Sequence, residues 1–475
     1  MNIRKKAVNG VLWNLGERFS IQGIKFIIFI ILARLLNPEE FGLFGIISVF
    51  LIIADVFVDS GFGLAYVQKK EVNDIDGNTV FFTNFVISVF IYFLIWLIAP
   101  FVASFYNEPR FVLLLRSMGI LIIINAFIII QNSQLVRNIN FKRKAILTTC
   151  AVLISGIIGI VLAMNDYGIW SLIIQAILQV LLLSIGLWFV TDWRPKLNFS
   201  RSSFHEMFSF GGWMLGARIL TTIFDNIYTL TIGKLFTSTY LGYYTQAKKI
   251  QSFGSNNLLQ AINTVFFPIM SQYQNNPDKQ RNGLEQYLRN TLFIIIPIMS
   301  ILIINANSLV FLILTEKWMP MVPYMQLLCI TGILTPFHSG NIQLLMACGK
   351  SQLNFKMTMI KGVLRLLNII ISYRWGLTYI LIGEVLISIV GLIISTHYAR
   401  KISFGIIKQL IALKIILFNG ALIMLCGFLI KSFFHSEIVS LCLSISSMVF
   451  IYLLFGYMFD KKTVNEITFI KKVFI

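Results

Sequence analysis

Charge is scarce in this chain of 475 residues: Asp, Glu, Lys and Arg make up 12% of it, and only 20 residues are acidic. With 57% hydrophobic residues and a mean hydropathy of +0.81, that scarcity excludes a water-soluble protein built around one core. Cysteine is sparse too. Cys150, Cys329, Cys348, Cys426 and Cys442 lie in apolar stretches without CxxC or CxxH spacing, which excludes a disulfide framework and a zinc site, so they read as small buried hydrophobes. The four histidines, His205, His338, His397 and His435, stand apart with no HExxH pattern, so no metal or other cofactor is expected. A phosphate loop is missing as well: Gly349-Lys350-Ser351 ends like one, but Gly340 stands nine positions before Gly349 and no strand precedes it. No long polar segment exists. The longest connection, Ser271 to Gln286, is too short to form a soluble domain.

What is present is apolar sequence in blocks of membrane-spanning length, about 20 residues each. Fourteen spans fit: 9–34, 42–66, 79–105, 110–133, 145–164, 168–190, 206–234, 238–270, 288–313, 320–347, 356–374, 377–397, 409–430 and 437–459. The start, Met1 to Lys6, is basic and then apolar like a signal peptide. Glu17 and Arg18 interrupt the run and no cleavage site follows, so it reads as an uncleaved first span. The expected fold class is an all-α integral membrane protein.

The net charge of +19 lies mostly between these blocks, which argues against a nucleic-acid partner and for a topological role. With a cytoplasmic N-terminus, 26 of the 39 cations fall on the cytoplasmic side and 6 on the other. Both termini are therefore expected in the cytoplasm. The remaining 7, Arg18, Lys25, Arg116, Arg218, Lys248, Lys249 and Arg365, fall within the spans.

A repeat at an offset of 200 organises the chain. Trp13-Asn14-Leu15-Gly16-Glu17-Arg18 returns as Trp213-Met214-Leu215-Gly216-Ala217-Arg218, Arg34-Leu35 pairs with Lys234-Leu235, and Gly42 with Gly242. Asn140-Phe141-Lys142 recurs as Asn354-Phe355-Lys356, an offset of 214 that implies an insertion near Ser271 to Gln286. Two parallel six-helix lobes follow, 1–200 and 201–400, with two further spans and a tail in 401–475. Such lobes enclose a cleft, and substrate sites in transporters of this construction lie at the repeat interface.

Polar residues mark a face. Asn14, Glu17, Arg18, Gln22 and Lys25 fall within roughly 140° of the first helix, and Arg218, Thr221, Thr222 and Asp225 share a face of the seventh span. Charge facing lipid costs about 2.5–3.5 kcal/mol per residue, so a stripe implies a wet cavity or paired burial. Two readings stand side by side: Glu17/Arg18 and Arg218/Asp225 are structural ion pairs, or the excess of cations over Glu17, Asp55, Asp59, Asp225 and Glu384 lines an anion-binding cleft. Lys248 and Lys249 point 100° apart, so at most one faces such a cleft. Arg116, six residues from a span end, reads as snorkelling. His338, beside Pro336, is a candidate for carrying a coupling proton. Pro297 and Pro336 are hinges or static kinks.

Ala33-Arg34-Leu35-Leu36-Asn37-Pro38-Glu39-Glu40-Phe41-Gly42-Leu43 resembles the ARLLxPxxFG signature of polysaccharide transporters in the multidrug/oligosaccharidyl-lipid/polysaccharide exporter superfamily. Asp59-Ser60-Gly61-Phe62-Gly63-Leu64-Ala65-Tyr66-Val67-Gln68 resembles their DxGxxxAxVQ segment, and Leu241-Gly242-Tyr243-Tyr244-Thr245-Gln246-Ala247 with Phe267-Pro268 looks like the counterpart in the second lobe. Within that family the sequence resembles the O-antigen, colanic acid and teichuronic acid exporters. The resemblance implies a flippase that moves polyprenyl-diphosphate-linked oligosaccharide across a bacterial inner membrane by alternating access. It implies no enzymatic step, membrane lipids as surroundings, H+ or Na+ as coupling ion, and glycan polymerase machinery as a partner. On that basis Arg18, Lys25, Arg218, Lys248, Lys249, Asn14, Gln22 and Thr222 are expected to hold substrate, and Glu17, Asp55, Asp59, Asp225 and His338 to couple ions. Asp59 reads equally as a helix cap. A multidrug antiporter of the same superfamily fits less well, because organic cations favour acidic cavities. A membrane glycan polymerase or ligase would need a larger outward loop, and a non-transporting scaffold would leave the stripes without purpose.

Overall fold

The computed structural model describes residues 20–59, 62–69, 72–137, 141–400, 402–434 and 436–459. The protein is all-α, as lipid requires of a chain whose backbone polar groups must be satisfied internally. Helix α1 covers the described residues 20–35. It is followed by α2 (Pro38–Asp59), α3 (Phe62–Gln68), α4 (Asp74–Tyr106), α5 (Phe111–Arg137), α6 (Phe141–Met164), α7 (Ile169–Val190), α8 (Arg201–Leu235) and α9 (Ser238–Gly254). Then come α10 (Asn256–Gln272), α11 (Pro277–Ile304), α12 (Ala306–Leu314), α13 (Val322–Ala347), α14 (Ser351–Ser372), α15 (Leu377–Ala399), α16 (Ile406–Ala412), α17 (Lys414–Phe433) and α18 (Glu437–Phe459).

Among the described residues, ten helices are long and apolar enough to cross a membrane, and they match ten of the fourteen expected spans. The other four differ for identifiable reasons. Span 9–34 lies partly outside the described residues; α8 carries Arg218 and Asp225 at mid-length; α14 carries Lys356, Lys361 and Arg365. The expected span 238–270 is instead two helices of 17 residues each, α9 and α10, with Ser255 between them. Expected spans 42–66 and 288–313 are also each divided, into α2 with α3 and α11 with α12. The presumed long connection is mostly helix, because Asn276 caps α11: its side chain accepts from the Lys279 N–H at 3.1 Å and Pro277 occupies the first turn.

Contacts divide the chain into two compact units, Met1–Gly242 and Tyr243–Ile475. Within the first, α4 packs on α5, α6 on α7, α5 on α7 and α2 on α5. Within the second, α11 packs on α13, α14 on α15, α13 on α15 and α10 on α13, which is the same scheme on the repeated elements. The boundaries repeat too. Residue 35 ends α1 and Pro38 starts α2; Leu235 ends α8 and Ser238 starts α9. Asn107 and Thr315 both take positive φ, 56° and 89°, and each precedes a glutamate. Gly168 and Gly376 precede α7 and α15 with φ of 53° and 103°, where a side chain would be strained.

One junction in the first unit shows why its sequence is restricted. A Cβ on Gly42 would meet the carbonyl oxygen of Ser238, and a Cβ on Gly242 would meet that of Pro38, so two repeat-related glycines allow two backbones to touch reciprocally. Beyond it, Glu40 accepts from the Asn37 N–H at 2.7 Å, and Arg110 bridges Glu39 and Glu108, reaching the latter at 2.7 Å. The hydrogen bonds from Arg110 hold the Glu108 carboxyl below the usual carboxylate range. A carboxyl with a depressed folded-state pKa adds stability above its unfolded value of about 4.3, and that increment disappears as pH falls through the folded value. Thermal melting of the wild type is therefore expected to fall more steeply than that of Glu108→Gln between about pH 6 and about pH 3. Parallel curves would contradict this role.

Candidate functional site

The charged stripe of the first unit rests on α1, α2 and α8. On α1, Gln22 is half-buried and Lys25 exposed. On α8, Arg218, Thr222 and Asp225 are spaced by four and three residues and so share a face; Arg218 and Asp225 are exposed and Thr222 half-buried. No described residue from Arg218 to Asn226 is buried, whereas Ile227, Tyr228, Thr229, Ile232 and Gly233 all are. The segment from Ile227 to Gly233 is thus mostly packed, while Arg218 to Asn226 is partly or fully exposed. Asp55 on α2 is exposed and accepts from the Asn125 amide at 3.1 Å. Asp59 is the last residue of α2. Asn14, Glu17 and Arg18 lie outside the described residues.

In the second unit, Lys248 is half-buried with its ammonium 5.8 Å from the Tyr244 ring, and its neighbour Lys249 is exposed. Two other span cations have structural roles. The Arg116 guanidinium lies 3.9 Å from the centre of the Trp96 ring, a cation–π contact in place of a site role. Arg365 bonds Glu384 at 2.8 and 3.2 Å, so this pair neutralises itself within the hairpin of α14 and α15 and adds nothing to the positive excess. Arg365 stands eight positions before the Tyr373–Trp375 turn and Glu384 nine after it, which puts them nearly level on antiparallel helices; that spacing is the sequence signal for the pair. Breaking it with Arg365→Ala is expected to cost about 3–5 kcal/mol by leaving a buried carboxylate alone, while Arg365→Met with Glu384→Met costs much less. Thermal unfolding of the purified protein distinguishes the two.

Sequence reasoning missed a polar cluster at Ser339, the residue after His338. The Tyr287 hydroxyl donates to Asn263 at 2.8 Å and lies 3.1 Å from Ser339, which the Asn263 amide also reaches at 3.0 Å; these residues join α10, α11 and α13. His338 precedes Ser339, and its Nδ1 is buried with no hydrogen-bond partner among the described residues. Pro336, two residues earlier, removes one backbone N–H from α13. The signal available was a Pro-Phe-His-Ser run opposite an Asn and a Tyr in neighbouring apolar spans.

Several of the motif residues quoted above pack the fold. Ala33, Leu36, Phe41 and Leu43 are buried, and Gly42 sits at the backbone crossing. At the end of α3, Arg137 donates to the carbonyls of Lys69 at 2.6 Å and Tyr66 at 3.3 Å, taking up acceptors that a helix terminus leaves open. Asp76 pairs with Lys69 at 3.0 Å.

The polysaccharide biosynthesis protein family matches this chain over residues 31–323. The chain is similar to the lipopolysaccharide biosynthesis protein WzxC of Escherichia coli (strain K12), 26% identical over 417 residues that cover 85% of this chain and 83% of that protein. It is also similar to the succinoglycan biosynthesis transport protein ExoT of Rhizobium meliloti (strain 1021), 27% identical over 364 residues covering 76% and 73%. In fold it resembles the lipid II flippase MurJ in an inward closed conformation, with a TM-score of 0.78, 16% identity, and coverage of 96% of this chain and 100% of that one.

Proposed function

The chain belongs to the polysaccharide biosynthesis protein family, and from that premise we propose that it flips a polyprenyl-diphosphate-linked oligosaccharide from the inner to the outer leaflet of a bacterial cytoplasmic membrane. One observation carries the reading: a family match over 31–323 in a chain with ten helices, among its described residues, long and apolar enough to cross a membrane. The names of WzxC and ExoT, lipopolysaccharide biosynthesis and succinoglycan transport, point to a glycan cargo.

Lys25 and Arg218 fit a diphosphate, which needs cationic donors once it leaves water. Arg18, Asn14, Gln22, Thr222, Lys248 and Lys249 complete the proposed binding set, while the lipid tail stays in the bilayer. Asp225 and Asp55, with Glu17, Asp59 and His338, supply carboxylates and an imidazole that compete for the cations or take up H+ or Na+ when cargo leaves. Work of this kind is translocation, without bond chemistry. The cationic asymmetry of the loops supports cytoplasmic termini and access to a glycan polymerase on the far side.

Deleting the gene is expected to remove the surface glycan and cause lipid-linked repeat units to accumulate, both restored by a plasmid copy. Normal surface glycan in the deletion strain would contradict the reading.

A further inference from the structure

The second unit has a cationic cavity of about 480 Å³ where α15 ends and the chain turns toward α16 and α17. Arg281 from the first turns of α11, His397 and Arg400 from the end of α15, and Lys408 from α16 line it, and among the described residues no carboxylate does. Arg400 and Lys408 are exposed, and the Arg281 guanidinium lies 5.5 Å from the centre of the Phe404 ring, which holds it in position. Ser403 also lines the cavity; its hydroxyl is buried and has no hydrogen-bond partner among the described residues. The flank is apolar. Ile393 and Ile407 are 51% and 70% exposed, a large apolar surface at the rim of a charged pocket.

The repeat supplies a control. A second cavity, of about 650 Å³, sits at the corresponding helix ends of the first unit, lined by Arg137, Arg143, Arg194 and Lys196. There the chain uses its own cations. Arg137 donates to the carbonyls that end α3, Arg194 to the carbonyls of Trp188 and Thr191 at 2.7 and 2.6 Å, and Asp74 and Asp192 line the same cavity. Among the described residues that line the second-unit cavity no carboxylate offsets the cations, and the cavity lies at the end of the spanning helix α15, at the membrane–water boundary.

We propose that this second-unit cavity binds the phosphodiester headgroup of an anionic phospholipid, with Arg281, Arg400 and Lys408 on the phosphate, the Ser403 hydroxyl as a further donor, and Ile393 and Ile407 against the acyl chains. Basic pockets between membrane helices hold such headgroups, and each cation contributes about fivefold to affinity. The site is separate from the cargo stripe, so it stands or falls independently of the transported glycan.

Native mass spectrometry of the purified full chain, titrated with phosphatidylglycerol or with phosphatidylethanolamine of the same acyl composition, tests it. Preferential retention of phosphatidylglycerol is expected. It should weaken about fivefold in Arg281→Gln and about 25-fold in Arg400→Gln with Lys408→Gln, and by less than about twofold in Arg143→Gln, which changes the control cavity. Equal retention of the two lipids, or unchanged retention in the double variant with an unaltered melting temperature, would overturn the proposal. So would full displacement of the lipid by inorganic phosphate at equal concentration, which would make free phosphate the ligand.

Discussion

Export of lipid-linked glycan is expected to fall by about tenfold to a hundredfold in Arg218→Ala, and further in Arg218→Glu, with the protein still present in the membrane. A charge-assisted hydrogen bond from Arg to phosphate is worth about 1.5–3 kcal/mol, which converts to that range. Reversing the sign adds repulsion to the loss. Arg218 is exposed on α8, and no described residue from Arg218 to Asn226 is buried. Quantifying surface polysaccharide beside an immunoblot of the membrane fraction separates transport from folding. Wild-type export from Arg218→Glu would remove the stripe from the mechanism.

Gly42→Val and Gly242→Val are each expected to abolish accumulation of folded protein. At both positions the first side-chain carbon would enter the space of a backbone carbonyl, the one at Ser238 or at Pro38, and backbone cannot swing aside as a flexible side chain can. Even Gly→Ala should cost about 1–3 kcal/mol, the usual range for overpacking, and lower the melting temperature of the purified protein. The double alanine variant is expected to be worse than either single one, because the two contacts share one crossing. Val at either site with unchanged accumulation would show that the crossing is not needed.

These two predictions differ in how openly the sequence announced them. Apolar block length revealed the ten helices that, among the described residues, can span a membrane, and the offset of 200 paired Arg34-Leu35 with Lys234-Leu235, where α1 and α8 end, although α2 starts at Pro38, four residues before the expected boundary. Composition alone did not show where the repeat slips. Helix-capping Asn73 and Asn276 lie 203 apart, and Gly168 and Gly376 lie 208 apart, so the inserted residues are spread over several turns instead of forming one loop. Breaks within spans at Ser255 and Asn305 were also hidden, because hydropathy averages over a window longer than a break.

At the site, spacing alone placed Arg218, Thr222 and Asp225 on one face of α8. Rotation of one helix against another decides the rest, and spacing carries no information on it. Arg365 therefore counted among the excess cations until its bonds to Glu384 were seen, and the Tyr287, Asn263 and Ser339 cluster was invisible because its members come from three helices. Much of the motif that resembles the family's, by contrast, is packing. Gly42, Phe41 and Leu36 report the fold, and the residues that meet cargo need not be in the motif at all.

The most direct measurement is translocation by the purified protein in proteoliposomes loaded on one leaflet with a polyprenyl-diphosphate-linked oligosaccharide, the opposite leaflet being read by a glycan-cleaving enzyme that cannot cross. Transport well above protein-free vesicles is predicted, reduced by Arg218→Ala and absent for the same glycan on an uncharged lipid anchor. Equal movement of the charged and uncharged lipids, or none by correctly inserted protein, would contradict a flippase that works through its cations.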